Sequence, residues 1–374
     1  MKIASRIADI PMSGIRKMFD LAGPNSINLG LGEPDLAPPA EAIEGMNRAA
    51  SSGRNKYGPT AGIPELRDAV AGFVSKYAPV EGRNVMITPS GSTGLLEITQ
   101  SMVDPGDRVL FPDPGFVIYK PHAELAGAEA VGYRLTDDGL FQPDIDDIQS
   151  KITPKTSMIV VNTPSNPTGG VLSEESKRAL CDIARDRNIT ILADEVYSEF
   201  IYEGKHTSFL DSLDCAVVAS GFSKMMAVTG WRMGFVCANE DVMDTLIKMQ
   251  YHVCASPGMP AMYGVLAALP GIEPYLENAR AVFKKRRDLI VDRINGIEGM
   301  SIIPPKGAFY AFPSFEQDIS SAELANRLAK AGLICTPGSA FGANGEGHLR
   351  FSYAADESKI DSGMDILKEV MEGL

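Results

Sequence analysis

Tryptophan and histidine are scarce in this 374-residue chain, which carries one Trp and four His. Positive charge is short too, with 35 Lys and Arg against 48 Asp and Glu. Each shortage closes off a class of function. His122, His206, His252 and His348 are too scattered for metal-ligand spacing and no HExxH occurs, so no metal is expected. A net charge of −13 argues against nucleic acid or an anionic membrane as partner, so an anionic ligand must be held by local cations in a cleft. The cysteines, Cys181, Cys215, Cys237, Cys254 and Cys335, are odd in number, form no CxxC and sit mostly inside apolar runs. They read as reduced core residues of a cytoplasmic protein. No apolar run is long enough to cross a bilayer, and Lys2, Arg6 and Asp9 put charge where a secretion signal needs an apolar stretch. What remains is an ordinary globular composition, 44% hydrophobic and 22% charged, long enough for two domains.

From about residue 40 to residue 270, helical patterns alternate with short apolar strands: Val85 to Thr88, Arg108 to Phe111, Met158 to Val161, Ile189 to Leu192 and Cys215 to Ala219. That alternation predicts an α/β fold with a mainly parallel sheet, whose ligand lies at the carboxyl ends of the strands. A long helix follows from Tyr275 to Ile294, on which the run Lys284 to Arg287 reads as a solvated face. Beyond it, strand-like Ala308 to Phe312 and Leu349 to Tyr353 precede a final helix with Ile360, Met364, Leu367 and Met371 facing inward, as in a smaller α+β unit. Near the start, Ser13 to Ala22 reads as a short amphipathic helix with Ile15, Met18, Phe19 and Ala22 on one face.

The residues with chemical potential follow those strands. Lys224 stands among small and apolar residues in Ser220-Gly221-Phe222-Ser223-Lys224-Met225, just after a strand expected to be buried on both faces. Desolvation there lowers the pKa of its ammonium and frees the amine to attack a carbonyl. Arg232, eight residues on, offers a rigid fork to a dianion. Ser90-Gly91-Ser92-Thr93-Gly94 opens the helix Leu95 to Val103, and its free N–H groups would suit a phosphate; no Lys-Ser/Thr follows, so it is not a P-loop. Asp194 ends the Ile189 strand in Asp194-Glu195-Val196-Tyr197, where a carboxylate at the edge of a buried sheet needs a partner. Gly30-Leu31-Gly32 is not a dinucleotide fingerprint, because Glu33-Pro34-Asp35 stands where a helix and a third glycine belong. Taken singly, Lys224 also suits a surface loop, Gly91 a plain βα turn and Arg350 an exposed edge strand.

Together these segments resemble the class I/II aminotransferases, the fold-type I pyridoxal-phosphate enzymes, over almost the whole chain. The resemblance implies a large domain at 39–278, with a mainly parallel sheet of the seven-stranded type flanked by helices. It implies a smaller, discontinuous α+β domain from 1–38 and 279–374. It implies pyridoxal 5′-phosphate held by Lys224, which the amino acid displaces and which then carries the proton at the substrate α-carbon. Gly91 and Ser92 would give backbone N–H groups to the phosphate and Arg232 its guanidinium; Phe116, in Pro112-Asp113-Pro114-Gly115-Phe116, would stack on the ring. Asp194 would pair with the ring nitrogen, and Tyr197 and Asn166, the latter in Asn166-Pro167-Thr168-Gly169, with the phenolic oxygen. Gly32, Asn166 and Arg350 would seat the substrate carboxylate. Tyr57, in Tyr57-Gly58-Pro59, would reach the phosphate of a neighbouring subunit, which implies a homodimer with shared active sites. One departure is Gly221, where many relatives have a phosphate-binding serine; Ser220 and Ser223 flank it. The resemblance is greatest to aspartate and aromatic amino-acid aminotransferases, with 2-oxoglutarate as amino acceptor. A C–S β-lyase would carry the same cofactor residues, and a non-enzymatic regulator would need an added DNA-binding region. No residue of the substrate side-chain pocket is assigned.

Overall fold

The computed structural model describes residues 25–136 and 138–374 and, before them, residues 1, 3–8, 10, 14, 18 and 23. The helix expected from Ser13 to Ala22 therefore lies outside the described residues, except for Gly14 and Met18, both helical.

The central sheet has seven strands: β1 (Val85–Thr88), β2 (Arg108–Asp113), β3 (Glu129–Arg134), β4 (Thr156–Asn162), β5 (Thr190–Asp194), β6 (Ala216–Gly221) and β7 (Gly234–Cys237). Their spatial order is β1-β7-β6-β5-β4-β2-β3. Only β7 runs against its neighbours; the pairs β2/β3, β2/β4, β4/β5 and β5/β6 are parallel. The α/β architecture with a mainly parallel sheet flanked by helices is thus the one expected. Strands β1, β6 and β7 are buried at every position, which is why they read as unbroken apolar runs rather than alternating ones. Two strands escaped the sequence reading. The outermost, β3, is only partly covered, and β7 is four residues long and opens on a glycine.

Helix ends explain where the chain turns. Ser90 caps Gly91–Met102 by accepting from Thr93 N–H at 2.9 Å, so this helix starts four residues earlier than its apolar pattern suggests. Ser173 caps Glu174–Arg187, which closes on Asn188 in the left-handed region. No helix among the described residues is long and apolar enough to cross a membrane.

A second hydrophobic core gathers the helices Glu273–Asn295, Ser321–Ala331 and Glu357–Glu372 with short strands, among them Leu349–Ser352, which pairs with Tyr310–Ala311 and Thr336–Pro337. Ile27–Asn28 returns to this core by pairing with Leu333–Ile334. Phe309 joins it to the central sheet, its ring 5.2 Å from Tyr197, 5.4 Å from Phe283 and 5.7 Å from Phe200. Each such aromatic contact contributes about 0.5–1.5 kcal/mol beyond area burial.

The charge run on the long helix needs correction. Lys284 and Lys285 are exposed, but Arg286 and Arg287 are only 7% and 3% exposed. Helical spacing puts the two arginines beside Phe283 and Ile290, and carboxylates neutralise them there. Arg286 donates to Asp35 at 2.6 and 3.0 Å, and Arg287 to Glu203 at 2.9 Å and Asp288 at 2.6 Å. Asp35 is thereby tied to the second core, which holds the Gly30 to Asp35 segment over the sheet.

Candidate active site

At the carboxyl ends of β1, β4, β5 and β6, the loops enclose a pocket of about 230 Å³. Every expected site residue lines it except Tyr57, which is 91% exposed on the surface.

Lys224 closes the pocket floor from the four-residue helix Phe222–Met225 that follows β6 directly. Its Nζ donates to Gly32 O at 2.6 Å. Burial lowers its pKa to about 8, a shift that Arg232 and Arg350 reinforce and Glu33 opposes. A far larger share of this amine is therefore neutral near neutral pH than for an exposed lysine, in the direction the sequence context suggested.

One end of the pocket is built for a dianion. The N–H groups of Gly91 and Ser92, at the start of their helix, have no hydrogen-bond partner among the described residues. Arg232 lies beside them with no carboxylate within reach among the described residues, donating only to Thr229 O at 2.8 Å. Backbone approaches backbone here. A Cβ on Gly234 would sit 2.4 Å from Gly91 N, so glycine is obligatory. The two serines flanking Gly221 separate in role: Ser220 donates to Glu195 O at 3.1 Å, whereas Ser223 lines the pocket.

Asp194 marks the deep end, 3% exposed at the tip of β5. It accepts from Tyr119 O–H at 2.8 Å and from Val196 N–H at 3.2 Å. Burial raises its pKa to about 6 despite both donors. A carboxylate left in that position needs a further cationic or N–H partner from the pocket side. Phe116 stands on the pocket wall, edge-on to Tyr119 at 5.9 Å.

The third end is cationic and belongs to the second core. Arg350 is 1% exposed, donating to Asn166 Oδ1 at 3.0 Å, Thr336 Oγ1 at 3.2 Å and Gly30 O. Its Nε has no partner although it is buried, and no carboxylate pairs with it among the described residues. A buried guanidinium with an orphaned donor in a pocket wall is poised for an anion. Gly32 faces it, its N–H without a partner among the described residues.

Tyr119, Tyr310 and Asn162 lie in or against the pocket but were not singled out from the sequence. Tyr119 had a signal, three residues after Phe116 at a helix start; Tyr310 had none, lying inside an apolar strand. Tyr310 hydroxyl hydrogen-bonds Tyr197 hydroxyl at 2.7 Å, and Asn162 accepts Asn166 N–H at 2.8 Å while donating to Asp194 O at 2.9 Å.

Pyridoxal 5′-phosphate fits this donor set. Unpaired N–H groups and Arg232 suit its phosphate, the desolvated amine of Lys224 its aldehyde, and the underpartnered carboxylate of Asp194 its ring nitrogen.

Residues 24–367 match the model of the family described as aminotransferase class I and II. An aspartate aminotransferase of Pyrococcus horikoshii is 37% identical over 99% of this chain and 97% of its own length. The aromatic-amino-acid aminotransferase 2 of Thermococcus litoralis is 35% identical over 100% and 99%. Among solved structures, an aspartate aminotransferase mutant of Thermus thermophilus superposes with a TM-score of 0.94 at 30% identity, covering 99% of this chain and 100% of that one. With this pocket on this sheet, the chain belongs to the class I and II aminotransferases, pyridoxal-phosphate-dependent enzymes that act on amino acids and 2-oxo acids.

Proposed function

We propose that the chain moves an amino group from L-aspartate or an aromatic L-amino acid to 2-oxoglutarate. The observation that carries this reading is the facing pair of a desolvated Lys224 amine and a buried Arg350 with a free donor, in one pocket. The named donors rest on the relatives that act on aspartate and on aromatic amino acids.

Bound pyridoxal phosphate supplies an electron-withdrawing ring that stabilises negative charge at the substrate α-carbon. The chain does the rest. Gly91, Ser92 and Arg232 would hold the phosphate, and Phe116 would cover the ring. Asp194, its carboxylate fixed by Tyr119 and Val196, would keep the ring nitrogen protonated. Arg350 grips the α-carboxylate, aided by Gly32 and Asn166, and thereby aims the α-hydrogen. Lys224 Nζ would take up and return the proton at the substrate α-carbon, a transfer worth about 10²–10⁴ in rate. Tyr197 would donate to the phenolic oxygen.

The same reading places a large domain at 39–278 and a smaller one at 1–38 and 279–374, supported by two hydrophobic clusters around the central sheet and a third gathered by the C-terminal helices. It also makes the enzyme a cytoplasmic homodimer, its five thiols all unpaired and Tyr57 reaching the partner's phosphate from an exposed position. On a sizing column the holoenzyme is expected at twice the chain's 40.1 kDa. Elution as a monomer with full activity would remove Tyr57 from the site.

The holoenzyme's visible absorption band tests the activity. Adding L-aspartate, L-glutamate, L-tyrosine or L-phenylalanine separately should bleach it, and 2-oxoglutarate should restore it. Irreversible fading with release of pyruvate and ammonia would instead identify a C–S β-lyase, and absence of the band would end the cofactor assignment.

A further inference from the structure

Three successive turns of the helix Glu174–Arg187 run beside the segment that leads into β6. At one end Lys177 Nζ donates to Asp211 at 2.6 Å, and at the other Arg185 forks onto Asp214 at 2.7 and 3.0 Å. Cys181 lies one turn from each of these cations, on the same stripe of the helix, and Cys215 directly follows Asp214. The two ion pairs thus fix a register that sets the thiols opposite each other, and both pack into one hydrophobic core. Ser212 stands between them. Its carbonyl accepts from Cys215 Sγ at 3.6 Å, and its side chain is within hydrogen-bond reach of Cys181. Cys181 is buried and Cys215 half-buried, beneath the exposed Arg185, Asp211 and Asp214, so a small oxidant need not enter the core. Among the described residues, Cys237, Cys254 and Cys335 have no such thiol neighbour.

The surroundings suit a reactive pair. A thiolate is the form that attacks an oxidant, and neighbouring cations favour it. The hydrogen bond between the two thiols, with Ser212, Arg185 and Lys177, lets the first proton leave below the usual thiol range although burial opposes it. The second is held more tightly for the same reason. Lys177 and Arg185 flank Cys181, so the anion rests there, and Asp211 and Asp214 complete the charged groups facing the pair. We propose that Cys181 and Cys215 form a peroxide-oxidised dithiol, a modification site distinct from the pocket. Cys181 sulfur attacks hydrogen peroxide and breaks its O–O bond, giving a sulfenic acid, while the departing hydroxide takes up the proton that Cys181 released. Cys215 sulfur then attacks the sulfenic sulfur, gives up its own proton and displaces water as the S–S bond closes. Two thiols and one peroxide become one disulfide and two waters, the sulfurs losing two electrons and the peroxide oxygens gaining them. A thiol reductant reverses the bond. Cys215 enters β6 at the end opposite Lys224, so the crosslink is remote from the amine.

The test treats the reduced holoenzyme with a small excess of hydrogen peroxide, alkylates the remaining thiols and maps the peptides by mass. Two of the five thiols should disappear together, in one crosslink of Cys181 to Cys215 within a chain, lighter by two hydrogens, and dithiothreitol should restore both. The rate of loss should rise with pH and level off below about 8.5, the ordinary thiol value. Cys215→Ser should stop at a sulfenic acid on Cys181, captured by dimedone, and Cys181→Ser should keep its remaining thiols at the same dose. Five intact thiols in the treated wild type would overturn the proposal, as would a sulfenic acid on its Cys181 with no crosslink. A crosslink through any other cysteine or between two chains would overturn it too, and so would loss of two thiols from Cys181→Ser. The wild-type result decides by itself should either variant fail to fold.

Discussion

Lys224→Ala is expected to lower turnover at least about 10²- to 10⁴-fold, the share a positioned proton carrier contributes, and more because the amine is also the proposed holder of the cofactor. Single-turnover mixing of the variant with pyridoxal phosphate and L-aspartate, or the donor found above, measures it. A turnover within tenfold of the wild type would remove Lys224 from the proton transfer. The same variant carries a stability signature that a surface lysine would not show. Burial lowers the Lys224 pKa from 10.5 to about 8, so the unfolded chain binds this proton more tightly than the folded one. The penalty is fully present below the folded value and fades as pH rises toward the unfolded one. Its size is at most about 3 kcal/mol. As apoprotein, Lys224→Ala should therefore be at least as stable as the wild type below pH 8, and its relative gain should shrink by pH 10.5. Thermal unfolding across that range would show it; a uniform loss at every pH would mean the lysine packs structurally and its charge is not strained.

Asp194→Ala is expected to cost about 10²–10³ in turnover, as for removal of a preorganised charge in a water-poor site. Asp194→Asn should recover little, because a neutral amide cannot compensate a protonated ring nitrogen. A pH effect accompanies the loss. The Asp194 pKa is raised from 3.8 to about 6 in the ligand-free pocket, so the stability its neutral form confers is present at low pH and lost as pH rises through the raised value. A ring N–H relieves the resulting ionised, underpartnered carboxylate. Stabilisation of the wild type by pyridoxal phosphate should therefore grow as pH climbs through about 6 and change much less in Asp194→Ala. Parallel profiles for the two proteins would show that Asp194 does not meet the ring.

The site was legible in the sequence where a functional residue follows a buried strand. Asp194 ends β5, Lys224 comes three residues after β6, and Gly91 three after β1, so an apolar run followed by a polar or glycine residue marked each. Where tertiary contacts decide, local pattern was silent. Tyr310 sits in Ala308-Phe309-Tyr310-Ala311-Phe312, a run any core strand could show, and only the approach of Tyr197 and Arg350 gives it meaning. Arg286 and Arg287 read as solvated because nothing nearby in sequence announces Asp35 or Glu203, which lie 251 and 84 residues away. The same limit hid β3, whose exposed edge weakens its apolar signal, and left the serine question at Gly221 open until the pocket separated Ser223 from Ser220.

Gly234 is paired on one side with Thr88 and on the other with Gly221. Gly91 comes three residues after the first partner, Lys224 three after the second, and Arg232 two before Gly234 itself. A single rung of the sheet is thus the common origin from which the proposed phosphate cradle, the buried amine and the proposed phosphate cation are all measured. The spacing between anchor and amine is set by peptide geometry, which no side-chain substitution can lengthen. Substitutions around Arg350 and Tyr310, which the other core contributes to the pocket, leave that distance unchanged.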